Sequence, residues 1–365
     1  MTVATAPLAT VAAQEACGGA RFFFLSVRTY EADFRQFLIQ ALRERGHDVW
    51  HVRIGRVTTV TSDGTPPTAF TGVAGFLALT RFLRSRAHAC DLAVFVDSTG
   101  PYVPARSLAL RASLGPALWC YDIFDNMTYD YRGLMRMRTQ AATRLLGGLS
   151  PVQLALSAET LRLFPRAIHL DNAAHVGRIE RRQANCRDLL LLSSIDARLD
   201  VNFTRRVAEL AVDRRLVLYG RIESPAEFDR LCREQRNIVY RGEFRYADIA
   251  TILRPFGIAL APYAMNALTE YINPDKFYYF LNSGMEVIST DIAQARRMRD
   301  RVHIATSPED VLAIAERLQR DPAFRKNTAG PVLGWDQRAG DLLDVIARTR
   351  PQRVRGRRRS GHPPP

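Results

Sequence analysis

The 365-residue sequence predicts an α/β protein built from two Rossmann-like, doubly wound domains facing a cleft. Three observations carry that expectation. Short apolar runs alternate with amphipathic stretches of helical period through two successive series. The runs are apolar at consecutive positions, the pattern of strands buried on both faces of a parallel sheet. Length, with 47% hydrophobic residues, suffices for two separate cores.

Residues 1–19 are rich in Ala and Thr, lack periodicity and end in Gly18-Gly19, so a loose leader is expected. The first domain, residues 20–175, opens with a strand at 22–27, an amphipathic helix at 32–45, the turn Gly46-His47-Asp48 and a strand at 49–54, which together form a βαβ unit. Strands at 92–96, 117–121 and 152–156 follow, with helices at 73–86, 106–113 and 133–146.

The second domain, residues 176–334, starts at the apolar run 189–192. Helices at 203–211, 225–234, 246–253, 275–283, 292–297 and 308–320 then alternate with strands at 215–219, 238–240, 258–261 and 286–289. A last helix at 335–348 and an Arg-rich tail at 349–365 end the chain. In such sheets ligands sit beyond the carboxyl ends of the strands, beside helix N-termini.

Net charge is +14, and seven arginines between Arg348 and Arg359 supply half of it. Only two lysines, Lys276 and Lys326, occur among 51 basic residues, which draws attention to the places where a compact ammonium is kept. Five cysteines at wide spacing point to free thiols, and no Cys/His spacing suggests a metal site. The absence of GxGxxG and Walker patterns argues against nicotinamide, flavin and P-loop chemistry. No apolar run of about 18 residues and no secretory signal is present, so a cytoplasmic location is expected. His47 and His175 read as structural.

The most informative stretch is IALAPYAMNALTEYINPDKFYYFLNSGMEVISTD, residues 258–291. Its order of Pro262, Asn266, Thr269-Glu270, Asn273-Pro274, Lys276-Phe277, Tyr278, Ser283-Gly284 and Ser289-Thr290 resembles the donor-binding segment of retaining GT-B fold glycosyltransferases (glycosyltransferase family 4, group 1-like). The resemblance implies a nucleotide diphosphate sugar as donor, transfer with retention, and neither cofactor nor obligatory metal. Residue types fit that chemistry. The loop Tyr271-Ile272-Asn273 leads into a helix whose free N–H groups and positive dipole end would face a pyrophosphate. Pro274 suits a first helical turn. Lys276 is placed to neutralise charge as the nucleotide leaves, the bland alternative being a solvated surface charge.

One departure stands out. Relatives carry two glutamates separated by seven residues, the second of which holds the nucleotide ribose; here those places are Tyr271 and Tyr279. Glu270 is adjacent and is assigned to the sugar hydroxyls.

Elsewhere LLLLSSIDARLDVNF resembles the first strand and loop of the donor domain. There Asp200 reads as a helix cap, and Arg198 points into the cleft or across the surface. Gly220 and Arg221 fall where relatives hold the phosphates, with a salt bridge to Glu223 or Glu227 as the alternative for Arg221. YRGEF, with Gly242 and Glu243, matches the loop framing the base. In the first domain YDIFDN offers Asp122 or Asp125 as a base on the acceptor, or as turn and cap residues.

The function expected is sugar transfer to a saccharide or lipid-linked acceptor in cell-surface polysaccharide synthesis. The Arg-rich tail would draw the protein to the anionic inner face of the cell membrane. A nucleotide-sugar epimerase on the same fold is the rival among enzymes. A degenerate nucleotide-binding protein, or a nucleic-acid-binding one acting through the tail, is the rival from another class; nucleic acid is not expected as a partner.

Overall fold

A computed structural model describes residues 19–349 except 56, 63–66, 100–101, 116, 124–131, 180–184, 234 and 327–333, and for 185 and 186 the backbone alone. Two open sheets dominate it. The first has eight strands, β1 (Ala20–Ser26), β2 (Asp48–Arg53), β3 (Val57–Thr61), β4 (Thr68–Thr71), β5 (Leu92–Asp97), β6 (Leu118–Ile123), β7 (Val152–Ala155) and β8 (Ile168–His169), in the order β4-β3-β2-β1-β5-β6-β7-β8. All pairings from β2 to β8 are parallel, while β3 and β4 extend the edge antiparallel. This sheet is covered by α1 (Gln36–Glu44), α2 (Gly72–His88), α3 (Pro104–Leu114) and α4 (Gly133–Gly148).

The second sheet has six strands, β9 (Asn185–Leu192), β10 (Leu216–Tyr219), β11 (Ile238–Tyr240), β12 (Phe256–Ala261), β13 (Glu286–Ser289) and β14 (Val302–Ile304). Their order is β11-β10-β9-β12-β13-β14, all parallel. Its helices are α5 (Val201–Leu210), α6 (Pro225–Cys232), α7 (Ile249–Leu253), α8 (Asp275–Asn282), α9 (Ala293–Arg297) and α10 (Pro308–Arg320). The eleventh helix among the described residues, α11 (Trp335–Thr349), returns to the first domain. There Trp335, Leu342, Leu343 and Ile346 share a core with Phe22, Phe24, Leu38 and Leu42.

Each sheet is apolar on both faces because its central strands are. Phe22 and Phe24 enter one core and Phe23 and Leu25 another; Leu190 and Leu192 face one layer and Leu189 and Leu191 the opposite one. That alternation in a continuous apolar run is what a doubly wound sheet requires. The order in which successive strands are added reverses between β1 and β5 in one sheet and between β9 and β12 in the other. Those two switch points, where loops leave in opposite directions, open crevices at the strand ends.

Several details differ from the sequence expectation. Strands β3, β4, β8 and β14 were not anticipated. The first three are short or Thr-rich, with β4 and β8 at the two edges of the sheet and β3 next to β4, where little apolar signal is needed. Helix α1 starts at Gln36 rather than residue 32, because the Asp33 carboxylate accepts the Arg35 amide at 3.0 Å and forms a side-chain turn instead of a helical one. Among the described residues no helix is long and apolar enough to cross a membrane.

Candidate active site

The loops after β9 and β12 meet at the second switch point. The Asp200 amide donates to the Pro262 carbonyl at 2.9 Å, the Ala264 amide to the Arg198 carbonyl at 2.8 Å, and the Asn266 side chain to the Ala197 carbonyl at 3.1 Å. Much of the 258–291 motif is scaffold. The Asn266 side-chain oxygen accepts the Leu268 and Thr269 amides at 2.9 and 3.0 Å, and the Thr269 hydroxyl donates to the Ala264 carbonyl, which folds the loop on itself. Ser289 donates to the Ala261 carbonyl, and Thr290 exchanges bonds with the Tyr263 backbone, fixing the end of β13 to that of β12.

This scaffold presents the start of α8. Among the described residues the amides of Ile272, Asn273, Asp275 and Lys276 find no acceptor, although Ile272 and Asn273 are buried. A cluster of unpaired N–H groups at a helix N-terminus is an anion cradle, since buried amides are otherwise almost always bonded. Lys276 adds an ammonium. It is half-buried, makes no hydrogen bond or ion pair among the described residues, and lies 5.2 Å from the centre of the Tyr263 ring. Desolvation pushes its pKa down to about 8, against Asp275 and Asp196, which favour the cation, and together with Arg198, which opposes it. The feature that works against an anion is Asp275, in the first turn; its carboxylate is held by the Tyr246 hydroxyl at 3.0 Å.

Arg198, Lys276 and Arg221 lie within electrostatic reach of Asp196, and Glu243 lies within reach of Arg221. Arg198 grips Asp196 with its Nη2 at 2.5 Å, and Arg221 pairs with Glu223 at 2.5 Å, so both guanidiniums are in local ion pairs. Gly242 turns at φ 92° and Glu243 is exposed beside it. A groove of ≈ 800 Å³ opens next to this group, lined by Asp196, Asp200, Glu223, Glu227 and Met265. Arg230 lines it too and pairs with Glu227 at 2.9 Å, and Asp200 there caps α5 by accepting the Phe203 amide at 2.9 Å.

Gly220 joins the ends of β9 and β10. A Cβ on it would fall inside the van der Waals shell of the Ser193 carbonyl oxygen, and its own amide and carbonyl are taken by Gly242 and the Tyr240 hydroxyl. Gly220→Ala should therefore cost about 2 kcal/mol or more, read as a fall in denaturant midpoint; an unchanged midpoint would mean the two strand ends separate freely.

Other residues singled out from the sequence take different roles. The Asn273 side chain leaves the cradle and donates to the Leu156 carbonyl at 2.8 Å and to Asp171 at 3.0 Å, while Asn172 donates to the Asn273 carbonyl at 2.7 Å, so the turn before α8 is tied to the first domain. Tyr271 is half-buried. Tyr279, in the place of the ribose carboxylate, is buried edge-on against His175 and Phe280 in the seam between domains. That seam also stacks Phe37 on His175 at 4.0 Å, a contact with no signal in the sequence beyond isolated aromatics. Glu270 lies 3.4 Å from Arg296 and 4.0 Å from Arg162 of the first domain, apart from the Asp196 group.

Asp122, a candidate base from the sequence, is buried, and both its oxygens accept from Arg35, at 2.8 and 2.5 Å; burial pushes its pKa up against that pairing. Asp125 lies outside the described residues. No group of three or more His, Cys, Asp or Glu among the described residues is placed to hold a metal ion.

Two doubly wound domains, with the last helix returned to the first, constitute the GT-B fold. No family model and no curated protein matches the sequence. Solved structures do match the fold. The catalytic domain of starch synthase IV from Arabidopsis thaliana, bound to ADP and acarbose, aligns with a TM-score of 0.60 at 11% identity, over 91% of this chain and 100% of that one. A structure described as a UDP-N-acetylglucosamine 2-epimerase from Listeria monocytogenes aligns at 0.53 and 10% identity, over 89% and 95%. TarM aligns at 0.52 and 9% identity over 80% of this chain, which spans only 60% of TarM. Further matches include named glycosyltransferases.

Proposed function

We propose that this chain is a glycosyltransferase that moves a sugar from a nucleotide diphosphate sugar to a saccharide or lipid-linked acceptor, with retention and without an obligatory metal, in cell-surface polysaccharide synthesis at the cytoplasmic side of the membrane. One observation supports the reading: four amides and an ammonium that have no partner among the described residues lie together at the start of α8, beyond the strand ends of a switch point.

The chemistry follows from that placement. As the bond between the anomeric carbon and the β-phosphate oxygen breaks, its electron pair passes to the phosphate, and the amides of Ile272, Asn273, Asp275 and Lys276 with the Lys276 ammonium stabilise the charge that grows there. The acceptor hydroxyl bonds to the same carbon, and its proton passes to the departing phosphate oxygen, which suits retention and needs no protein base. Arg221 is exposed, and a surface ion pair such as its own with Glu223 is weak enough to exchange for a phosphate. Glu270 is assigned to the sugar hydroxyls. With Tyr279 facing the seam, Gly242 and Glu243 remain to frame the nucleoside.

The epimerase alternative shares the fold match but needs ring-facing carboxylates free to move protons. Around Lys276 the acids are engaged, Asp196 by Arg198 and Asp275 by Tyr246. Nucleic acid has no comparable support. The Arg-rich tail at residues 349–365 is assigned to attraction towards anionic lipid.

Thermal-shift measurement against nucleoside diphosphates and their sugars tests the reading. At about 100 times Kd a ligand that binds only the folded state adds about 2.7 kcal/mol, a rise of several degrees in Tm. If no nucleotide raises Tm, the assignment is withdrawn.

A further inference from the structure

Helix α4 is inverted relative to an ordinary surface helix. Its core side is small and partly polar, with Thr139, Thr143, Leu146 and Gly147 buried. Its outward side carries Leu134, Met137, Ala141 and Leu145, spaced three and four residues apart and hence in one stripe along the helix. Leu134 is 69% exposed, Met137 67% and Leu145 50%, whereas monomeric proteins place such side chains on the surface singly rather than in rows. Arg138 and Arg144 flank the stripe on its two sides, Arg132 immediately precedes the helix, and Arg136 lies on the far side. Arg132, Arg136, Arg138 and Arg144 are all exposed, none makes an ion pair or hydrogen bond among the described residues, and no acid occurs from Arg132 to Leu149.

We infer that this face of α4 rests on an anionic bilayer, the apolar stripe entering the headgroup boundary and the arginines meeting lipid phosphates. The two halves of the feature select that occupant together. A polyanion such as RNA would use the arginines but not the Leu/Met stripe. A protein groove would use the stripe but gain nothing from the two flanking cations, which have no partner among the described residues, unless it were strongly acidic. A convex helix with an apolar line and basic flanks matches both layers of a lipid surface, with arginine stems lying along the acyl boundary and their heads among phosphates. The site is separate from the start of α8, so it stands or falls independently of the transfer reaction. It is also distinct from the tail at residues 349–365.

Co-sedimentation of the full chain with vesicles tests this. Vesicles of phosphatidylcholine containing about a quarter phosphatidylglycerol should bind the protein at least about tenfold more tightly than phosphatidylcholine alone. The triple variant Leu134→Ser, Met137→Ser, Leu145→Ser keeps every arginine and the whole tail, and should lose on the order of tenfold or more in binding with an unchanged melting temperature. Arg138→Glu with Arg144→Glu should lose a similar amount. Equal binding by the triple variant and the parent would overturn the inference in favour of the tail alone. Absence of vesicle binding, with stripe-dependent dimers in sedimentation velocity, would overturn it in favour of a protein contact.

Discussion

Lys276→Ala is expected to reduce turnover by about 10²–10³-fold, the usual cost of removing one preorganised charge from a developing anion. Affinity for nucleoside diphosphate should fall with it. The group's titration gives a second signature. With its pKa near 8 in the free protein, the ammonium is present below that pH and lost above it, so nucleotide affinity should be flat up to about pH 7 and weaken by up to about tenfold per pH unit beyond 8. The variant should show no such limb.

Stability has the opposite sign. The folded pKa lies below the ordinary 10.5, so between about 8 and 10.5 the unfolded chain holds the extra proton and stability rises with pH; below 8 the cost of burying the cation is fully present. Lys276→Met should accordingly melt a few degrees higher at neutral pH without nucleotide. Equal nucleotide affinity in Lys276→Ala and the parent, measured at pH 7, would remove the residue from the site.

Asp122→Asn should destabilise the protein by about 3–5 kcal/mol, because Arg35 would be left as an uncompensated buried charge. The double change Arg35→Met with Asp122→Leu should recover most of that loss, as apolar replacements of buried pairs commonly do. Urea unfolding of the three proteins decides between roles. A catalytic base would give the reverse result, a normal unfolding midpoint with lost turnover.

The sequence made the doubly wound architecture legible because parallel strands covered on both faces are written as uninterrupted apolar runs, as in Phe22–Phe24 and Leu189–Leu192. It also located the start of α8, since Asn273-Pro274 followed by one of only two lysines is a local signal. What it could not convey was pairing across distance. Arg35 reads as one more solvent-facing position on an amphipathic helix, yet it is buried against a carboxylate 87 residues away. Asn273 looks like a ligand-facing loop residue, but its side chain spans to Leu156 and Asp171. Asn266, Thr269, Ser289 and Thr290 belong to the recognisable motif yet close the loop on itself, so a motif's residue types can be dictated by the shape of the cradle rather than by what it holds.

The last helix described joins residues near position 343 to strands that begin at position 20, so the first domain's core is incomplete until that helix has been made. During synthesis the second domain has all its layers available earlier, and the first must wait with Phe22 and Leu38 only partly covered. The half of the molecule that leaves the ribosome first thus completes its core only when residues more than 300 positions further along have been made.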